Sequence, residues 1–286
     1  MPSLKDLRKR VRTVRSTQQI TRAMKMVAAS KLRRAQDAAE RARPYAGKLT
    51  ELLSAVSAGF DPDTVPHPLL ARREEGRIDV IVLTSDRGLC GGFNAQLLRR
   101  GDAFLREREA AQIAVHVLGK KGMEHFRRKS LTPLSERQGV LTTPVTELAG
   151  GLTRGVVERF TNGETDAVYL VYSRFRSAIS QVPTVAPLLP VAPPAASEQS
   201  GDYIFEPTRP ELLGALLPRY IEALVSQAVL ESIASEHGAR MTAMESATSN
   251  ASDMIERLTL LMNRTRQAAI TKELMEIVSG AEALKG

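Results

Sequence analysis

The sequence predicts an α/β fold with long terminal helices, in which N- and C-terminal arms form an antiparallel two-helix coiled coil around a central Rossmann-like α/β domain. Three observations carry this: where the prolines lie, a 3.5-residue apolar repeat in both arms, and a strand–turn–helix–strand pattern in the middle. The expected divisions are an N-terminal coiled-coil helix at 1–60, an α/β domain at 76–207 and a C-terminal coiled-coil helix at 210–286.

Of fifteen prolines, thirteen fall between Pro44 and Pro210, none lies in 3–43 and none follows Pro218. Proline costs about 3 kcal/mol inside a helix, so the proline-free ends read as two long helices flanking a compact middle. At ~1.5 Å per residue they would span roughly 60 and 100 Å. Composition agrees, with no Trp, 4% aromatic residues and a predominance of Ala, Leu and Arg.

In the first arm Leu4, Leu7, Val11 and Val14 alternate steps of three and four. The phase then slips and resumes at Ile20, Met24 and Val27. Pro44 is expected to kink or end this helix. In the last arm Met241, Met244, Thr248, Ala251, Ile255, Leu258, Met262, Thr265 and Ala269 keep the repeat unbroken. Neither stripe can be buried alone, and each large apolar side chain removed from water is worth ~1.5–3 kcal/mol, so the arms should pack on each other. Gly238, the single glycine between 219 and 279, marks a possible bend.

In the middle, IDVIVLT at 78–84 is a β-branched run suited to a strand buried on both faces. SDRGLCGGFN follows, then an amphipathic stretch from Ala95 to about Glu107, then IAVHVLG at 113–119, which together make a βαβ unit. TDAVYLVYSRF at 165–175 offers another strand. Seven prolines between Pro183 and Pro210 read as a loop-rich exit from the domain.

A glycine-rich turn after a parallel strand is where phosphates bind. Here Gly88, Gly91 and Gly92 do not make GxGxxG, and no GxxxxGK[ST] occurs. The turn therefore reads as structural, with Asn94 capping the helix and the glycines permitting the tight path. Cys90, the sole cysteine, excludes an internal disulfide and reads as a small buried thiol; as a nucleophile it would need His116 or His125 to approach. His67, His116, His125 and His237 lack metal spacing, so no metal is expected, and no cofactor.

The net charge of +8 is unevenly spread: residues 1–43 hold thirteen Lys/Arg against three acids, leaving −2 for the rest. A basic helical end implies an acidic partner, whether nucleic acid, anionic lipid or protein. Nucleic acid is disfavoured because no aromatic residue precedes Tyr45. The arginine-rich start also mimics an organelle transit peptide, but the same residues fit a packed helix. No run of 18 apolar residues and no apolar signal-peptide core is present, so the expectation is a chain without its own membrane span.

QQITRAMKMVAASKLRRAQ at 18–36, SDRGLCGGFN at 85–94, ARMTAMESATSNASDMI and NRTRQAAITKELMEIVSGAEAL near the C-terminus resemble the gamma subunits of F-type ATP synthases. SQVPTVAPLLP at 180–190 and YIFEP at 203–207 are similar too, so the likeness runs end to end. The resemblance implies a non-catalytic rotor shaft: a bent coiled coil inside a hexamer of alternating alpha and beta subunits, with the α/β domain and an epsilon subunit on a membrane ring of c subunits. Proton flow would turn ring and shaft together, and the turning shaft would drive the beta catalytic sites through successive states. It also implies roles for residues: Met24 and Lys25 in the shaft close to beta, Arg266, Gln267 and Thr271 where a beta loop is caught, and Tyr203 and Glu206 in the foot near the c ring. Ser279, Gly280, Ala281 and Ala283 would slide in an apolar sleeve. The single cysteine departs from chloroplast relatives that carry a regulatory cysteine pair, which favours a bacterial complex at the inner face of the plasma membrane.

Overall fold

The computed structural model describes residues 3–57, 67–192, 206 and 208–283. The chain divides into two compact units, Met1–Val27 with Met241–Gly286, and Ala28–Arg240. Two helices run through both: α1 (Leu4–Ser57) and α5 (Arg209–Ala283).

The larger unit is built on a five-stranded sheet. Its strands are β1 (Arg77–Leu83), β2 (Gln112–Leu118), β3 (Ser135–Arg137), β4 (Ala167–Phe175) and β5 (Gln181–Leu189), in spatial order β3-β2-β1-β4-β5. The first four are parallel and β5 is antiparallel to β4. Strand order reverses between β1 and β4, which is the switch point of a doubly wound fold.

Alternation along the central strands feeds two apolar layers. Ile78, Val80 and Val82 pack with Val115, Val117 and Val171 under α2 (Phe93–Arg106) and α3 (Lys120–Arg128), which contribute Leu97, Phe104, Met123 and Phe126. Ile81, Leu83, Val168 and Leu170 point the other way, into a layer formed with α4 (Val145–Thr161), the end of α1 through Leu53 and Val56, and α5 through Leu213, Leu217, Ile221, Val225 and Val229. The last turns of α1 and the first of α5 thus belong to the core of this unit.

The three expected strands and α2 form within a residue or two of their expected ends. Helices α3 and α4 and strands β3 and β5 go beyond the expectation. In α4, Leu148, Leu152, Val156 and Phe160 recur every four residues and are buried, but Gly150, Gly151 and Gly155 lower its intrinsic helix propensity. The stretch read as a proline-rich exit contains β5. Pro183 and Pro187 pair with Ser173 and Tyr169 across an edge strand. Being four residues apart, they share one parity, so both ring nitrogens turn away from β4 and no ladder bond is lost. Pro193, Pro194 and Pro207 lie outside the described residues.

Pro44 does not end the first helix. It is exposed, and the turns after it are held by buried Leu49, Leu53 and Val56, which offset the missing N–H. Gly238 does not interrupt α5 either. A Cβ there would lie 3.3 Å from the Ala178 backbone and 3.4 Å from the Phe175 ring, so the glycine answers close approach.

Candidate functional site: the paired helix ends and the turn after the first strand

In the smaller unit, α1 and α5 pair antiparallel through three successive polar contacts. Gln18 Nε2 donates to Ser252 Oγ at 2.7 Å, Thr21 Oγ1 and Thr248 Oγ1 share a bond of 2.8 Å, and Lys25 Nζ donates to Glu245 Oε1 at 2.6 Å. The two residue numbers in each pair add to 269 or 270, the constant sum an antiparallel register requires. The same register sets Val14 level with Ile255 and Leu7 level with Met262.

On α5 every residue of the expected seam, Met241 to Ala269, is buried or half-buried, and Thr242, Ala243, Ala247, Thr259 and Asn263 beside it are half-buried as well. On α1 the phase slip is absent. Ile20 and Val27 are 57% and 56% exposed, and the 3,4 alternation continues through half-buried Gln18, buried Thr21 and half-buried Lys25. The apolar count lost the phase because three consecutive seam positions are polar and bonded to polar side chains of α5. The short polar side chains facing them, Ser252 and Thr248, were the available signal.

From Ile270 to Ala281 every α5 residue is exposed, including Ile270, Leu274, Met275, Ile277 and Val278. The register explains this, since the level of Leu4, where α1 begins, is reached near Thr265. The apolar side chains beyond it have no facing helix within the unit. Met24 is half-buried, and Lys25 is tied to Glu245. Arg266, Gln267 and Thr271 are exposed at the start of the unpaired end, as are Ser279, Gly280 and Ala281. The Ala283 side chain and Tyr203 lie outside what is described, and Glu206 is exposed. Seven basic residues, Lys5, Arg8, Lys9, Arg10, Arg12, Arg15 and Arg22, are all exposed on α1.

At the switch point of the larger unit, side chains of α5 bond the ends of the central strands and the turn after β1. Ser232 Oγ on α5 donates to Leu83 O at the end of β1, and Ser235 Oγ donates to Ser173 O on β4 at 2.9 Å. Arg240 Nη2 donates to Gly88 O at 3.3 Å and to Glu236 Oε1 at 2.7 Å. Arg240 thereby ties one side of the turn to α5, while Gly88, Gly91 and Gly92 stay exposed. Burial pushes the Glu236 carboxyl up despite Arg240, and burial first, then the charges of Arg240 and Lys31, push His237 down to about 4.

Asn94 does not cap its own helix, whose N-cap is Gly92 with no side-chain bond. Its Oδ1 accepts from the Ser85 backbone N–H at 3.1 Å, and its Nδ2 donates to Ser85 Oγ at 2.7 Å, so it staples the turn to β1. Only Gly91 among the three glycines takes positive φ, at 55°, and Leu89 does so as well at 61°. Cys90 is buried, and burial pushes its thiol up, away from the thiolate a nucleophile needs. Neither suggested histidine serves it. His125 faces Asp102, and His116 lies between Ser135 Oγ at 2.8 Å and Asp79 Oδ2 at 3.1 Å.

Ser135, His116 and Asp79 echo a nucleophile relay, but the Arg159 guanidinium also donates to Asp79 at 2.8 Å. Burial pushes the Asp79 carboxyl up, and His116 and Arg159 outweigh it, so the net direction is down and the carboxylate is neutralised by its own clasp. The set ties α4 to the sheet. Among the described residues no cluster of three or more His, Cys, Asp or Glu could hold a metal.

The matching family model is described as ATP synthase and covers residues 3–284. The ATP synthase gamma chain of Anaeromyxobacter sp. (strain Fw109-5) is 52% identical over the whole of both chains. A chain in the central stalk and c-ring structure of the Tetrahymena thermophila mitochondrial ATP synthase aligns with TM-score 0.60 and 26% identity, over 80% of this chain and 99% of that one. A chain of the Euglena gracilis mitochondrial ATP synthase shares the fold at TM-score 0.67 and 19% identity, over 98% and 94%. With two terminal helices paired at one end and an α/β sheet bonded at its switch point to the second of them, the chain belongs to the gamma-chain family, which forms the central stalk of F-type ATP synthases.

Proposed function

We propose that the chain transmits torque and performs no chemistry itself: it carries rotation of a membrane c ring to catalytic beta subunits, coupling proton flow to ATP synthesis or hydrolysis. The observation that carries this is the unpaired end of α5, five large apolar side chains held out to solvent on a continuous helix. A soluble chain seldom leaves such a surface uncovered, and a sleeve of alpha and beta subunits would cover it on all sides. The central stalk and c ring in which the Tetrahymena relative was solved support a c ring as partner here; we add an epsilon subunit at the α/β domain and membrane attachment through the complex alone. The site would be the cytoplasmic face of a bacterial plasma membrane.

Within this reading Met24, Lys25, Arg266, Gln267 and Thr271 contact the stator, and Tyr203 and Glu206 form the foot. Support is strongest for Arg266, Gln267 and Thr271, which stand exposed where α5 leaves its partner helix. The exposed arginines and lysines of α1 suit acidic loops of beta.

Co-expression with the cognate alpha and beta subunits tests it. One copy per three alpha–beta pairs, with ATPase activity reduced when residues 270–286 are removed, is the expected result. A chain that stays free and leaves ATPase unchanged overturns the proposal.

A further inference from the structure

Four acceptors converge on the Arg240 guanidinium. Nη2 donates to Glu236 Oε1 at 2.7 Å within α5, and to the carbonyls of Arg87 and Gly88, at 3.5 and 3.3 Å, in the turn after β1. Nη1 lies 3.3 Å from His237 Nδ1. A guanidinium has donors and no acceptor, so Nδ1 must be the accepting atom of that pair. The ring is therefore neutral and carries its one proton on Nε2, a tautomer fixed by a cation rather than by a carboxylate. Glu236, His237 and Arg240 are all buried. The charges that bear on the ring are cationic, Arg240 on its own helix and Lys31 on α1. Glu236 faces the same two cations and Asp86 of the turn, and Cys90, buried within the turn, feels both Glu236 and Arg240.

We infer that His237 works a proton-released latch: its neutral ring holds Arg240 against the Arg87 and Gly88 carbonyls, and a proton on Nδ1 frees the turn after β1 from α5. The proton converts the accepting atom into a donor. It also sets an imidazolium against a guanidinium in a buried place, where water screens little of the repulsion. Arg240 cannot relieve this by losing a proton of its own, so it must leave. The carbonyls it abandons belong to exposed residues and pass to water. With its value lowered from 6.5 to about 4 in the closed latch, His237 contributes stability that is present above 6.5 and is lost as pH falls toward 4. Glu236 works against it, because burial raises its carboxyl and a proton is taken up there more readily in the closed latch than in the open one. Glu236 thus damps the release, and removing its carboxyl uncovers the His237 response. The latch belongs to the single chain and stands apart from the transmission of torque.

Two measurements on the full chain test this. Nitrogen-15 shifts of the His237 imidazole at pH about 7 should show Nε2 protonated and Nδ1 bare, and a proton on Nδ1 overturns the latch. The second is trapping of Cys90, the sole cysteine, by dipyridyl disulfide, a reagent that still reacts in acid, with rates expressed relative to a small-molecule thiol. Rates are followed from pH about 7 down to the lowest pH, at or above about 4, at which far-ultraviolet circular dichroism stays native, so that release of the turn is not confused with unfolding. In Glu236→Gln the relative rate should rise at least about tenfold across this range. With His237→Gln added it should stay flat, since the glutamine oxygen accepts from Arg240 and takes no proton. Should Glu236→Gln not fold, the wild type and His237→Gln are compared in the same way, and the wild type should show the larger response. An acid response that is the same with and without His237, or one absent from a folded Glu236→Gln, overturns the latch.

Discussion

Thr21 and Thr248, 227 residues apart in sequence, share a 2.8 Å hydrogen bond at the centre of the helix pair. Thr248 Oγ1 also has Met244 O at 2.7 Å, and Thr21 Oγ1 has Gln18 O at 3.0 Å. Thr21→Val alone should cost about 1 kcal/mol by removing the interhelical bond, leaving Thr248 only its bond to Met244 O, whereas the double change to valine should cost less than the sum of the single ones. Urea unfolding of the four variants measures the coupling, and strict additivity would contradict a working interhelical bond.

Gly119 is held in a backbone conformation and a space that no side chain fits. Its φ is +93°, and an added Cβ would lie 2.2 Å from Thr84 O. Gly119→Ala should destabilise the larger unit by more than about 3 kcal/mol, with loss of soluble chain at 37 °C. Gly88→Ala, where a Cβ meets nothing within 4 Å, is the control and should change little.

His237 makes stability depend on pH. Unfolded, the imidazole takes a proton near its ordinary value of 6.5, while in the fold burial, with Arg240 and Lys31, resists protonation until about 4. Acid therefore favours unfolding across that window. Glu236, whose carboxyl burial pushes up, opposes part of the effect. Denaturation midpoints at pH 4.5 and 7 should differ less in His237→Gln than in the wild type. An unchanged difference would remove His237 from the account.

Arg266→Ala with Gln267→Ala alters only exposed side chains, so the free chain should melt within about 0.5 kcal/mol of wild type. In the assembled complex, ATPase activity should fall several-fold if the pair contacts the stator. Full activity there would return both residues to the solvated surface.

Replacing Leu274, Ile277 and Val278 by serine should leave melting unchanged, because these side chains are exposed, and should slow aggregation of the isolated chain. Light scattering on heating the free chain is the readout.

Much of this was legible in sequence, and what was not had specific causes. The seam of α5 could be read residue by residue because small and apolar residues alone occupy it. The seam of α1 could not, since Gln18, Thr21 and Lys25 are recognisable as seam residues only once Ser252, Thr248 and Glu245 are known to face them. Strand β1 announced itself by β-branching, whereas β5 was hidden by prolines whose harmlessness depends on lying at a sheet edge. Asn94 was correctly read as accepting a backbone bond, but from the wrong donor, because a cap and a staple across a turn demand the same residue type. Asp86 gave no signal at all; the backbone amides that donate to it, those of Lys120, Gly139 and Val140, lie 34 to 54 residues downstream.

Those two edge prolines also bear on the time before the chain finds its complex. Carrying no N–H, Pro183 and Pro187 leave gaps in the outer row of donors on β5, at intervals too short for another chain to skip. A newly made copy waiting for its partners thus offers neighbouring copies no template for strand addition, and the route from crowding to fibrous deposits is shut along that border.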